Sequence, residues 1–201
     1  NFRVRSVLGM DDAVKLAQYL ELLQATVPIL TTARSTSSPI PTHIYVVRLQ
    51  DFRELGIDRD MAGYFSPGLR NNTIMVRDTG GMRETSIILH EYVHFLLRNQ
   101  NRLRYPRWFD EGFAEYLSAT RVARGNFEVG RVPEHRRANL MYSNWIPIRK
   151  ILSGDRYDKL TPEGQSMFYA EAWALVHYLM TRQTDGPVFV DDFADYLDRV
   201  D

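Results

Sequence analysis

The stretch ILHEYVHFLL, residues 88–97, places His90, Glu91 and His94 inside an otherwise apolar run. The three form the pattern H-E-x-x-H. Residues four apart on a helix lie on one face about one turn from each other, so both imidazoles can point at a single ion. Two nitrogen ligands at about 2.0–2.1 Å suit zinc. Glu91 is rotated by about 100° from His90, where its carboxylate can reach a water on the ion without ligating the ion itself. Such a water has its pKa lowered towards about 7, and Glu91 can take its proton as general base. A metal would also explain polar groups in a dry segment, because buried imidazoles and carboxylates cost on the order of several kcal/mol unless paired or coordinated. The alternative is a structural helix whose two histidines bond to backbone or carboxylates.

A third ligand is expected in YPRWFDEGFAEY. Glu111 follows His94 after sixteen intervening residues. That gap fits one helix finishing, a turn at Tyr105–Pro106 and a second helix returning across the first. Glu115 lies one turn beyond Glu111, on the same face. A ligating histidine usually gives its other N–H to a carboxylate or carbonyl, and Glu115 is placed to orient His90 or His94 in this way. Gly112 and Ala114 are small, which would let those two helices approach closely. The plain alternative for Glu111 is a solvated glutamate in the first turn of a helix.

HEYVH followed by WFDEGFAEY resembles the gluzincin branch of zinc metallopeptidases. It is most similar to the peptidase MA-like domains and more distantly to the aminopeptidase N and thermolysin families. The motifs span His90–Leu117. The resemblance implies a zincin-like metalloprotease domain with Zn2+ as cofactor, held by His90, His94 and Glu111. It implies hydrolysis of peptide bonds in a peptide or protein substrate, with Glu91 as the catalytic base. An acidic residue four positions after the ligand glutamate, as in thermolysin-like enzymes, is matched by Glu115.

The resemblance further implies a donor to the oxyanion of the tetrahedral intermediate. In aminopeptidase-like relatives this is a tyrosine about sixty residues past the ligand glutamate, and a phenol suits the task because it donates a hydrogen bond without bearing charge. Tyr169 stands fifty-eight residues after Glu111. His177 is the rival donor, and packing beside Trp173 is the alternative for both. One departure matters. Aminopeptidase relatives hold the substrate's N-terminus with a G-x-M-E-N stretch, whereas MAGYFSP and TGGMRETS precede the motif here. An endopeptidase is therefore expected rather than an aminopeptidase. In zincins an edge strand ahead of the motif helix pairs with extended substrate, and NTIMVRD at 72–78 occupies that place, unless it is an ordinary sheet strand. Two other functions stay open: a catalytically weak or inactive zincin-fold interaction module, and hydrolysis of a non-peptide amide or ester.

These residues need elements to hold them. One domain over 1–201 is expected, α+β in class, with a small mixed β-sheet plus helix at 1–80 and a mainly helical lobe with the metal site at 81–201. NFRVRSV, HIYVVRL, MAGYF and NTIMVRD read as strands, the last two joined by the SPGLRN turn. Apolar residues at helical spacing predict a helix over Asp11–Leu30. DFRELGI reads as a short helix with Asp51 as N-cap and Gly56 as stop. The motif helix is expected from Met82 to Asn99 and a second follows Pro106. Residues 121–145 read as irregular or partly helical, and a short helix follows at Pro147–Ser153. Thr161 as N-cap before Pro162 starts a long helix, and a last helix is expected over Pro187–Arg199.

Composition narrows the partners. Lys plus Arg equals Asp plus Glu at 25 each, without the basic excess of a nucleic-acid binder. The cluster Arg98, Arg102, Arg104 and Arg107 reads as a solvated loop. Zero cysteines exclude disulfides and thiolate metal sites but leave the compartment open. No apolar run approaches the roughly 18 residues of a membrane span. The start at Asn1 fits a processed or trimmed piece, and an extracytoplasmic location, periplasmic or secreted, is favoured without any residue fixing it. The ending DYLDRVD carries a helical pattern without a stop signal, as a piece with further domains beyond it would.

Overall fold

The computed structural model describes residues 2–7, 9–31, 40–57, 63–78, 82–100, 105–123, 126–154, 157–181 and 196, leaving aside the side chains at 82–84, 98–100, 123 and 126. The chain is α+β and divides into two compact units, Asn1–Gln100 and Asn101–Asp201.

The first unit contains strands β1 (Phe2–Ser6), β2 (Thr42–Val47), β3 (Gly63–Ser66) and β4 (Asn72–Arg77), with helices α1 (Met10–Leu30), α2 (Leu49–Glu54) and α3 (Met82–Gln100). The sheet order is β1-β2-β4-β3. β1, β2 and β4 are parallel, while β3 runs antiparallel to β4. Side chains alternate across a pleated strand, so Thr42, Ile44 and Val46 share the buried face with Asn72, Ile74 and Val76, their register partners. Leu16, Leu20, Leu23 and Val27 form the buried stripe of α1 at helical spacing. α3 packs on α1, β3 and β4. Aromatic contacts tie it to the sheet: Phe2 meets Tyr92 at 5.2 Å and Phe65 meets Phe95 at 5.0 Å between ring centroids.

The helices α1 and α3 and the β3–β4 hairpin lie where the sequence puts them. Two expectations need correction. β4 is hydrogen-bonded on both sides, by β2 and β3, so NTIMVRD is an interior strand with no edge to offer a substrate. The edge next to it is β3. Asp51 is the third residue of α2 rather than its cap, because the helix begins two residues earlier with Arg48 as N-cap. Gly56 does end it, in the left-handed region at φ 72°.

The second unit contains α4 (Arg107–Ser118), the hairpin β5 (Arg121–Ala123) and β6 (Asn126–Glu128), α5 (Glu134–Tyr142), α6 (Ile148–Ser153), a single 3-10 turn (Tyr157–Lys159) and α7 (Pro162–Thr181). Short strands of three residues carry little periodicity, which is why this hairpin is not visible in the sequence. The cap of α7 is as expected: Gly164 N–H donates to Thr161 Oγ1 at 3.2 Å. The last helix expected at Pro187–Arg199 lies outside the described residues except for helical Tyr196, as do the side chains of Arg98, Arg102 and Arg104. Among the described residues no helix is long and apolar enough to cross a membrane.

α7 is the central helix of this unit, packed on by α4, α5 and α6. Its closest approach to α4 depends on Gly112: a Cβ there would lie 2.3 Å from the carbonyl oxygen of Ala172 and 2.9 Å from Val176 Cγ2. Gly112 thus serves the approach of α4 to α7. Gly112→Ala should destabilise the protein by about 1–3 kcal/mol through overpacking against backbone that cannot rotate away. The same exchange in a free helix would gain about 1 kcal/mol, so the sign of the shift in a urea unfolding curve tests the contact.

Candidate metal centre

From Ile88 to Leu97 α3 is buried on nearly every side: Ile88, Leu89, Tyr92, Val93, Phe95, Leu96 and Leu97 are core residues. His94 is only 5% exposed, while His90 and Glu91 are half-buried. The two imidazoles turn toward each other, with Nε2 of His94 3.1 Å from Nε2 of His90. Their rings are near perpendicular at 4.7 Å between centroids. Two nitrogens bound tetrahedrally at about 2.0–2.1 Å would stand roughly 3.3 Å apart, so the observed spacing fits two ligands of one ion.

Glu111 is the fifth residue of α4, beyond the first turn. It is half-buried with Oε2 shielded from water, unlike a solvated glutamate. His90 and His94 offer two imidazole nitrogens within the first unit, and Glu111 offers a carboxylate oxygen within the second. Two imidazole nitrogens and one carboxylate oxygen are a donor set that zinc accepts. The residues present therefore fit the metal.

On α7, Tyr169 lies one turn before Ala172, the residue on which Gly112 of α4 rests. This brings Tyr169 beside Glu111. Burial pushes the Tyr169 phenol well above its usual range, and the charge of Glu111 and the neighbouring Tyr157 push it further, against a smaller opposing effect of Arg136. The phenol therefore keeps its proton. Its oxygen accepts a hydrogen bond from the Tyr157 hydroxyl at 3.2 Å. His177 is placed differently. Its ring stacks on Trp173 at 4.9 Å, and its buried Nδ1 makes no hydrogen bond among the described residues.

Glu115 is 3% exposed. Its Oε1 accepts from Arg136 Nη2 at 2.8 Å, and its Oε2 lies 3.5 Å from His135 Nε2. Arg136 is a residue that sequence reasoning missed. Its Nη1 donates to Ser166 Oγ at 3.1 Å, and its guanidinium carbon sits 4.8 Å from the centre of the Tyr169 ring. One side chain on α5 thus ties the carboxylate one turn beyond Glu111 to the helix carrying Tyr169. The only signal was indirect: a buried carboxylate needs a cation, and nothing in EHRRANLMY separates Arg136 from Arg137. Glu171 is a further buried carboxyl, 5% exposed, raised in pKa by burial and opposed by the hydrogen bond from Ile146 N–H at 2.5 Å.

Arg136→Met should lower stability by about 3 kcal/mol, since it takes a charged partner from a buried carboxylate. Arg136→Lys should recover only part of this, because an ammonium cannot bridge two acceptors in the fixed fork of a guanidinium. Denaturant unfolding of both variants measures the difference.

No curated protein matches the chain. A family model matches residues 84–199, a span that takes in His90, Glu91, His94, Glu111, Arg136 and Tyr169. With more than half its length matched, the chain belongs to the family described as protein of unknown function (DUF1570).

Proposed function

We propose that this protein is a zinc metallopeptidase with a zincin-like fold, more suited to cleaving within a chain than to removing an N-terminal residue. The observation that supports this reading is the pairing of His90 and His94, whose Nε2 atoms stand 3.1 Å apart, the spacing of two ligands of one ion; Glu111 is the third ligand that the sequence motif supplies. Glu91, between the histidines in sequence, supplies the base that such a site needs.

His90, His94 and Glu111 would hold Zn2+, which supplies polarisation of the scissile carbonyl and acidification of a water. Glu91 takes the proton of the attacking water and returns it to the leaving amine, a general base and then a general acid. Tyr169, neutral because it is buried, donates its O–H to the oxyanion that develops on the carbonyl. It is preferred to His177 because it feels the charge of Glu111, whereas His177 is packed on Trp173. Arg136 holds Tyr169 from behind and keeps the α4–α7 pair in register. Extended substrate backbone can add to β3, whose outer side has no partner strand among the described residues.

Glu91→Gln should retain zinc and lose roughly two or more orders of magnitude in turnover of an unfolded protein or peptide library, as expected for a lost general base. Full activity in that variant removes Glu91 from the mechanism. Glu111→Ala should lose zinc by elemental analysis, and an unchanged zinc content removes Glu111 from the ligand set. Chelation should abolish hydrolysis and added zinc restore it. A purified protein that binds zinc and hydrolyses none of the library is instead an interaction module.

A further inference from the structure

Beside Tyr169 the second unit contains a cavity of about 420 Å³, lined by Ile146, Lys150, Ser153, Gly154, Tyr157, Lys159, Leu160 and Phe168. This volume falls in the range of ligand pockets, roughly 300–1,000 Å³. Neither Glu111 nor Tyr169 lines it; the link is Tyr157, whose ring forms part of the wall and whose hydroxyl donates to Tyr169. The wall is built rather than incidental. Arg107 lies over the Tyr157 ring at 4.2 Å from its centre, and Phe168 meets its edge at 5.1 Å. Ile146 is fixed through its N–H to buried Glu171.

The chemistry of the lining is one-sided. Among the described residues, two lysines and no carboxylate face the cavity. Neither lysine forms an ion pair with a described residue: the acid next to Lys159, Asp158, pairs with Arg107 at 3.7 Å. Ile146, Leu160 and Phe168 supply the apolar floor. The segment that contributes Ile146 and Lys150 also exposes Tyr142, Trp145 and Ile148, which are 82%, 60% and 54% accessible. A ligand matching this lining has a carboxylate on an apolar body.

We propose that the cavity is a specificity pocket that takes a carboxylate-bearing residue of the peptide substrate, with its carboxylate at Lys150 and Lys159 and its apolar part over Ile146, Leu160 and Phe168. This rests on the metallopeptidase reading for the word substrate, though the binding stands by itself. The carboxylate can be an acidic side chain or the C-terminus of the peptide. Both present the same chemistry, and the experiment separates them.

The test uses the zinc-loaded full chain and four fluorescent peptides with one common core: neutral and amidated, neutral with a free C-terminal carboxylate, amidated with an internal glutamate, and amidated with an internal lysine. Binding is read by anisotropy on the Glu91→Gln variant and cleavage on the wild type. Carboxylate-bearing peptides should bind about tenfold or more tightly than the neutral amide, from two cations that pair with no acid among the described residues. The double variant Lys150→Glu, Lys159→Glu alters exposed side chains. It should erase that preference and turn it toward the lysine peptide. Selectivity for the free terminus alone assigns the C-terminal carboxylate; selectivity for internal glutamate assigns the side chain. Equal binding of all four peptides, or a preference unchanged in the double variant, overturns the pocket. Hydrolysis without selectivity leaves the peptidase and removes the pocket. Acid-selective binding that the charge reversal abolishes, without hydrolysis of any peptide, keeps the pocket and removes the peptidase.

Discussion

Two imidazole nitrogens 3.1 Å apart in the dry middle of a helix set the terms for everything around them. An apolar interior does not tolerate such groups cheaply. One proton shared between neutral rings satisfies a single pair of nitrogens, whereas an ion satisfies both and a carboxylate as well. The apolar residues around them therefore limit how those nitrogens can be satisfied. Ile88, Leu89, Val93 and Leu96 are fully shielded, so the ring faces have few places to turn, and a low local dielectric strengthens each interaction the nitrogens make.

The second unit answers to a different constraint, the close approach of α4 and α7. Gly112 leaves room for the Ala172 carbonyl, and the residue before it, Glu111, is carried in beside Tyr169. A carboxylate and a phenol from helices far apart in sequence thereby share an environment. The link is visible in the phenol, which burial and the nearby charge hold in its neutral form. Arg136 closes this arrangement from a third helix, bonding Glu115 and Ser166 while covering the Tyr169 ring. Its fork geometry suits two acceptors on two helices in a way a lysine cannot match.

Much of the candidate site was legible in the sequence because its signals are local. H-E-x-x-H lies within about one turn of α3, and E-G-x-A within about one turn of α4, so both can be read without knowing what packs on them. The same holds for Thr161–Pro162 as a helix start and for the long periodic stripe of α1. The failures have a common cause. NTIMVRD looks the same whether it is an edge or an interior strand, since alternation reports which face is buried and says nothing of neighbours in the sheet. Arg136 looks like any basic residue of a short polar helix. The hairpin at 121–128 is too short to show a period.

The sequence by itself determined that His90 and His94 share one face of a helix, because helical periodicity fixes which side chains stand together, and it singled out Glu91 and Glu111 as candidates beside them. It also determined the α+β class and the starts of the main helices, which depend on neighbours three or four residues away. Only the tertiary structure decided that β4 is interior, that Gly112 serves α7, that Arg136 pairs with Glu115, and that Tyr157 joins a lysine-rimmed cavity to Tyr169. Each of these is a meeting of groups distant along the chain, set by packing and charge pairing rather than by any local rule.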